Sequence, residues 1–275
     1  MIARARAAWQ ALKQDRLLKK LVRNTGYLAS GSTINMLLSL VQSVVGAWLL
    51  KPEGVGDLGN IIVFTSTVNR LFSFRMGELV VRYMEQFLHQ ERKDRAAAFV
   101  KAAALVEAVT SLLAFGLLIW LAPWAAQTFS RKPELAPLFL LYGLTIPANL
   151  MTETSTGVLQ VSRRFGSQAW ITVAQALLTA ALIVGAYFFQ AGLEVVVLAY
   201  LLGKMIMGIG PMVLAWQALG DKLGAGWWRA SFKLLPPLRE LGGFAINTNL
   251  SATLNLVVRD SELLWVSYFL SSYES

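Results

Sequence analysis

The sequence predicts an all-α fold, a polytopic membrane helical bundle, on three observations. Of its 275 residues, 56% are hydrophobic and 15% charged, against about 45–50% and about 25% in soluble domains. Seven apolar stretches fill the chain, most of them near the roughly 20 residues that cross a bilayer. Lys and Arg gather in every second connection between these stretches, the alternation that the positive-inside rule produces.

Residues 1–23 form a basic tail carrying Arg4, Arg6, Lys13, Arg16, Lys19, Lys20 and Arg23. Trp9, Leu12, Leu17 and Leu21 give it a stripe able to lie on a membrane, with a solvated tail as the alternative for its first ten residues. The apolar run that follows, 27–50, exceeds the core of about 7–15 residues of a cleavable signal, so it reads as an uncleaved anchor. Span one is predicted over 25–50. The turn Lys51-Pro52-Glu53-Gly54-Val55-Gly56 leads into span two, 57–84, which polar residues interrupt. Spans three to six are predicted over 97–122, 135–159, 168–190 and 193–216. Between spans five and six, Ala191-Gly192 makes a tight turn. A connector, 217–241, holds Trp227, Trp228 and Phe232 for the interface and Lys222, Arg229, Lys233 and Arg239 for headgroups. Span seven occupies 243–270.

The basic connections are the tail and those after spans two, four and six, which places the N-terminus in the cytoplasm. Trp48, Trp120, Trp124, Trp170 and Trp216 fall near span ends, where interfacial tryptophans belong. The order reads as a six-span lobe, 24–216, the connector, and the start of a second lobe, 242–275.

Several function classes drop out. With no cysteine, thiolate catalysis, disulfides and Cys-ligated metals are excluded. The one histidine, His89, lies among loop charges, so neither a metal site nor a cofactor is expected. The net charge of +9 belongs to membrane topology rather than to nucleic acid. Phosphate-binding loops, dinucleotide fingerprints and hydrolase signatures are absent from the sequence, and no catalytic residue is assigned.

Charges inside the apolar stretches are the informative residues. Each costs about 2.5–3.5 kcal/mol at a bilayer centre on insertion scales, so a chain that keeps them turns them toward a wet cavity. In span two, Arg70 and Asn69 lie deep, and Arg75, Glu78 and Arg82 share a helical face at i, i+3 and i+7. These read either as a cationic cavity rim with Glu78 orienting the arginines, or as an ion-paired patch whose long side chains snorkel, the reading preferred for Arg82. Span seven carries Asn247, Asn249, Asn255, Arg259, Asp260 and Glu262, a run too polar to face lipid, unless the span is shorter and the charges sit at its outer mouth. Lys204 lies mid-span among Gly203, Gly208 and Gly210, facing a neighbouring helix or a substrate. Glu107 and Glu153 are open between counterion, proton carrier and hydrogen-bonded packing residue.

The stretch LLKPEGVGDLG and the downstream run SFRMGELVVRY resemble the Gly-Pro-Glu-x-aromatic-Gly turn and polar-interrupted second helix of polysaccharide flippases. These are the Wzx-like members of the multidrug/oligosaccharidyl-lipid/polysaccharide exporter superfamily. Here Lys51 stands before the proline and Val55 before the second glycine, where that family has glycine and an aromatic residue. The resemblance implies two six-helix lobes related by a pseudo-twofold axis, so a chain stopping at Ser275 reads as an N-terminal portion, completed by a missing second lobe or a second half-size chain. It also implies translocation of polyprenyl-pyrophosphate-linked oligosaccharide across the bacterial cytoplasmic membrane by alternating access, in cell-surface polysaccharide biosynthesis. Polysaccharide polymerase and glycosyltransferases are the implied neighbours, and no enzymatic activity is. Arg70, Arg75 and Arg259 would bind the pyrophosphate, which guanidinium groups grip bidentately; Glu78, Lys204, Asn255, Asp260 and Glu262 would support or couple. A cation-coupled multidrug exporter of the same superfamily, which needs an acid-dominated cavity, is the alternative. A membrane enzyme acting on polyprenyl phosphates fits less well, because the basic loops carry no DDxxD-type cluster.

Overall fold

A computed structural model describes residues 16–73 and 76–235. The main helices are α1 (Arg16–Leu71), α2 (Met76–His89), α3 (Lys93–Ala125), α4 (Ala136–Gly143), α5 (Thr145–Ala148), α6 (Thr152–Val161), α7 (Phe165–Phe188) and α8 (Leu193–Leu223). No strand occurs among the described residues, and five helical segments there are long and apolar enough to cross a membrane. The chain is a multi-pass membrane helical bundle.

Spans one and two meet at a kink within α1 rather than across a loop. Pro52 has no N–H to give and disfavours helical geometry at the residue before it. Lys51 accordingly sits at φ 58, ψ 171, in a region glycine occupies freely and other residues at a cost of about 1–3 kcal/mol. Gly54 and Gly56, expected in the turn, lie inside the helix that restarts at Pro52. Lys132 from the next connection on this side clamps the kink, donating to Glu53 Oε1 at 2.6 Å and Asp57 Oδ2 at 2.8 Å. The hydrogen bond to Asp57, and then that to Glu53, raise the Lys132 pKa above the usual lysine range.

Three helices end in the same hydrogen-bonded turn. After α2, Arg92 N–H donates to Phe87 O and Glu91 N–H to Leu88 O; after α6, Arg164 donates to Leu159 O and Arg163 to Gln160 O; after α7, Ala191 donates to Ala186 O and Gln190 to Tyr187 O. Each is a Schellman motif whose left-handed residue is not glycine: Glu91 at φ 59, Arg163 at φ 57 and Gln190 at φ 48. Gly192, the expected turn residue, is instead the extended N-cap of α8.

Predicted spans two and four are both broken. Span two is the second part of α1, then Phe72-Ser73 and the undescribed residues 74 and 75, then α2. Span four is α4 and α5, then Asn149–Met151, then α6. The two breaks separate two apolar clusters. One, toward the kink, contains Ile61, Phe64, Leu118, Phe139, Ile146 and Ile183. The other, toward the Glu91 and Arg163 turns, contains Val80, Met84, Phe99, Val100, Val158 and Leu159. Outward faces remain apolar, as lipid requires: Leu37, Leu105, Leu112 and Leu113 are exposed, as are Trp48, Trp120, Trp124, Trp170 and Trp216 near the span ends.

The connector begins later than its predicted start, because α8 runs on to Leu223. Two 3-10 turns follow, Trp227–Arg229 and Phe232–Leu234. Trp228 stacks on Trp216 with centroids 5.6 Å apart. Lys101 of α3 fastens the segment by donating to Ala230 O at 2.6 Å and Trp228 O at 3.3 Å, with its ammonium 4.0 Å from the Phe232 ring centroid.

Candidate functional site

A broken helix inside a bilayer frees backbone groups that no water reaches from lipid, so side chains must satisfy them. At the break in span four, Pro147 lacks a donor, and Asn149 Nδ2 donates to Thr145 O at 2.7 Å. Asn149 Oδ1 accepts from the Thr152 hydroxyl at 3.1 Å, while its Nδ2 also reaches Lys204 O of α8 at 3.4 Å. The first free donors of α6 go to Glu107 of α3: Glu153 N–H donates to Oε1 at 2.7 Å and Thr154 N–H to Oε2 at 2.9 Å. A carboxylate at a helix N-terminus also suits the helix dipole.

The same device recurs one helix further on. Glu153, held in the first turn of α6, brings Oε2 to 3.5 Å from Gly77 N–H in the first turn of α2. Glu107 thus ties α3 to α6, and Glu153 ties α6 to α2. The α2 and α6 backbones cross closely here: a Cβ on Gly157 would lie 2.7 Å from Gly77 O, and one on Gly77 would lie 2.9 Å from Glu153 O. On the other flank, Gly208 lets α8 approach the Ala148 carbonyl so nearly that a Cβ would collide with it.

These breaks line a polar cavity of about 290 Å³. Arg70 enters from the end of α1 and Lys204 from α8; Glu107 and Glu153 stand on the α3 and α6 side, with Asn69, Thr110, Thr145 and Asn149 between them. Thr65 also faces it, and its buried hydroxyl has no hydrogen-bond partner among the described residues. Both Glu107 oxygens already accept backbone N–H groups. The α6 N-terminus is therefore occupied, and an anion in this cavity would be met by Arg70 and Lys204.

A second cleft, of about 530 Å³, extends from the α2–α6 crossing toward the turns at Glu91 and Arg163. Glu78 and Arg82 of α2 face Thr156 and Gln160 of α6 across it, and Thr152 and Glu153 line both clefts. Arg82, expected to snorkel, lines this cleft and also lies 5.7 Å from the Tyr83 ring centroid.

The sequence-predicted residues therefore divide. Arg70 and Lys204 share the first cavity, and Glu78 lines the second. Arg75, Asn255, Arg259, Asp260 and Glu262 lie outside the described residues, as do span seven and the connector beyond residue 235. Glu107 and Glu153 received no settled role from the sequence, and Asn149 was not singled out. The signal for the span-four break was present in Pro147-Ala148-Asn149 followed by Thr152-Glu153, a helix stop and a helix start in succession. Among the described residues, acidic and histidine side chains nowhere gather in a group of three or more able to hold a metal.

A multi-pass helical bundle with two interrupted spans around a charged polar cavity defines a membrane protein that admits polar groups to the interior of the bilayer. The chain belongs to the family described as polysaccharide biosynthesis protein, whose pattern matches residues 21–274. It is similar to the inner membrane protein YghQ of Escherichia coli (strain K12), with 24% identity over 178 residues, 65% of this chain and 50% of that one. The chain spans about half the length of this curated relative. No solved structure matches it.

Proposed function

We propose that this protein forms a lobe of a transporter that carries polyprenyl-pyrophosphate-linked oligosaccharide across the bacterial inner membrane by alternating access. The N-terminus lies on the cytoplasmic side, where the substrate is loaded, and a second lobe completes the pathway. The observation that carries the reading is the cavity between the two helix breaks, where Arg70 and Lys204 present cationic groups beside hydroxyl and amide side chains. A pyrophosphate offers oxygens for bidentate guanidinium bonds and a second cation. Membership in a polysaccharide biosynthesis family supports the saccharide cargo. On this reading Arg75 and Arg259 also bind the pyrophosphate, with Asn255, Asp260 and Glu262 in support.

One observation favours a cation-coupled exporter instead: Glu107 and Glu153 are equal in number to the two cations lining the cavity. It weighs less, because Glu107 is engaged by two backbone donors. The test is a translocation assay in proteoliposomes with fluorescent undecaprenyl-pyrophosphate-linked saccharide and a membrane-impermeant quencher. The protein, assembled with its second lobe, is expected to move the probe, and the pair Arg70→Ala and Lys204→Ala to abolish movement. Retained movement in that double variant, or cation-driven drug efflux without movement of the lipid, overturns the reading.

A further inference from the structure

The second cleft lies outside the cavity assigned to the pyrophosphate, and its chemistry differs. Glu78 and Arg82 stand at i and i+4 on α2, while Thr152, Thr156 and Gln160 stand at i, i+4 and i+8 on α6, so each helix turns one polar stripe toward the other. The Gly77–Gly157 crossing sets the separation at one end of the cleft, and the stripes line it toward the basic turns. Resting on the transporter reading above, we propose that this cleft is a saccharide subsite that holds the sugar hydroxyls while the pyrophosphate occupies the Arg70–Lys204 cavity.

Charge separates this ligand class from others. Glu78, Glu153 and Arg82 all line the cleft, and two carboxylates against one guanidinium disfavour a phosphate or a carboxylate ligand. Sugar hydroxyls both donate and accept, and the cleft offers matching partners: carboxylate acceptors, guanidinium donors, and the Gln160 amide and Thr156 hydroxyl, which do both. Thr152 and Glu153 line both spaces, so one molecule can extend from one into the other.

The test is native mass spectrometry of the full chain in detergent micelles with two probes. One is undecaprenyl pyrophosphate; the other is the pool of lipid-linked saccharides extracted from the producing cells. The wild type is expected to hold the saccharide pool more tightly than the bare lipid. Gln160→Ala, and independently Thr156→Val, should weaken the pool about tenfold, the loss of roughly one polar contact, while leaving the bare lipid unchanged. Retained bare-lipid binding shows that each variant is folded. Cleft variants that weaken both probes equally, or neither, overturn the saccharide subsite and leave the transporter reading intact. Failure of the wild type to bind either probe overturns both.

Discussion

Glu107 offers the sharpest test of how the interrupted helices are held. Its two oxygens accept the Glu153 and Thr154 N–H groups at 2.7 and 2.9 Å, and a hydrogen bond to a charged group contributes about 1.5–3 kcal/mol. Glu107→Ala removes both acceptors and leaves two donors of α6 without partners. Water entering from the cavity offsets part of that loss, so the net cost should be about 3 kcal/mol. At about 2–4 °C per kcal/mol for a chain of this size, Tm should fall by about 6–12 °C. Glu107→Gln keeps one acceptor but turns an amide N–H toward a backbone donor, and should cost about half as much. Thermal unfolding in detergent, followed by the fluorescence of the nine tryptophans, measures the shift. Hydrogen exchange at the Glu153 and Thr154 amides locates it. A Tm unchanged by Glu107→Ala, or amides protected as in the wild type, refutes the cap.

Four further outcomes follow from the same geometry. Gly157→Ala places a methyl group 2.7 Å from Gly77 O; the α2–α6 crossing must open at a cost of about 1–3 kcal/mol, read as a lower Tm. Lys51→Gly relieves the φ 58 backbone at the kink and should stabilise the protein by about 1–2 kcal/mol in the same assay; a loss of stability contradicts the strained geometry. Arg163→Gly should likewise stabilise the protein by about 0.5–1 kcal/mol, read as a higher Tm, by giving its Schellman turn a residue at ease with φ 57. Lys132→Met should lower Tm slightly, because this clamp is partly exposed. The Lys132 pKa is raised by its acidic partners, so its contribution is full below the unfolded lysine pKa of about 10.4 and disappears only as pH climbs through the higher folded value. The wild-type and variant Tm values should therefore stay apart across neutral and mildly alkaline pH and converge only in strong alkali.

What the sequence made legible was whatever depends on local composition. Apolar length marked the described spans, and Pro52 marked the reversal between the first two. Insertion cost pointed Arg70 and Lys204 away from lipid, and both line the cavity. What it hid depends on partners distant in the chain. The Glu107 cap joins residues 46 and 47 positions apart, and no periodicity carries that information. Pro147 and Asn149 signalled the break in span four, but apolar flanks on both sides read as one continuous span. The turns misled for another reason: glycine marks where left-handed backbone is cheap, yet Glu91, Arg163 and Gln190 occupy it without glycine. Their surrounding hydrogen bonds outweigh a penalty of about 1–2 kcal/mol.

The central claim, that the cavity between the broken helices receives a pyrophosphate, is tested most directly by titrating undecaprenyl pyrophosphate into the detergent-purified protein and its Arg70→Ala/Lys204→Ala variant. Loss of two charge-assisted contacts should weaken binding by about 100-fold or more, with the variant's Tm close to that of the wild type. Equal affinity in the two proteins would contradict the assignment of the cavity and, with it, the proposed cargo.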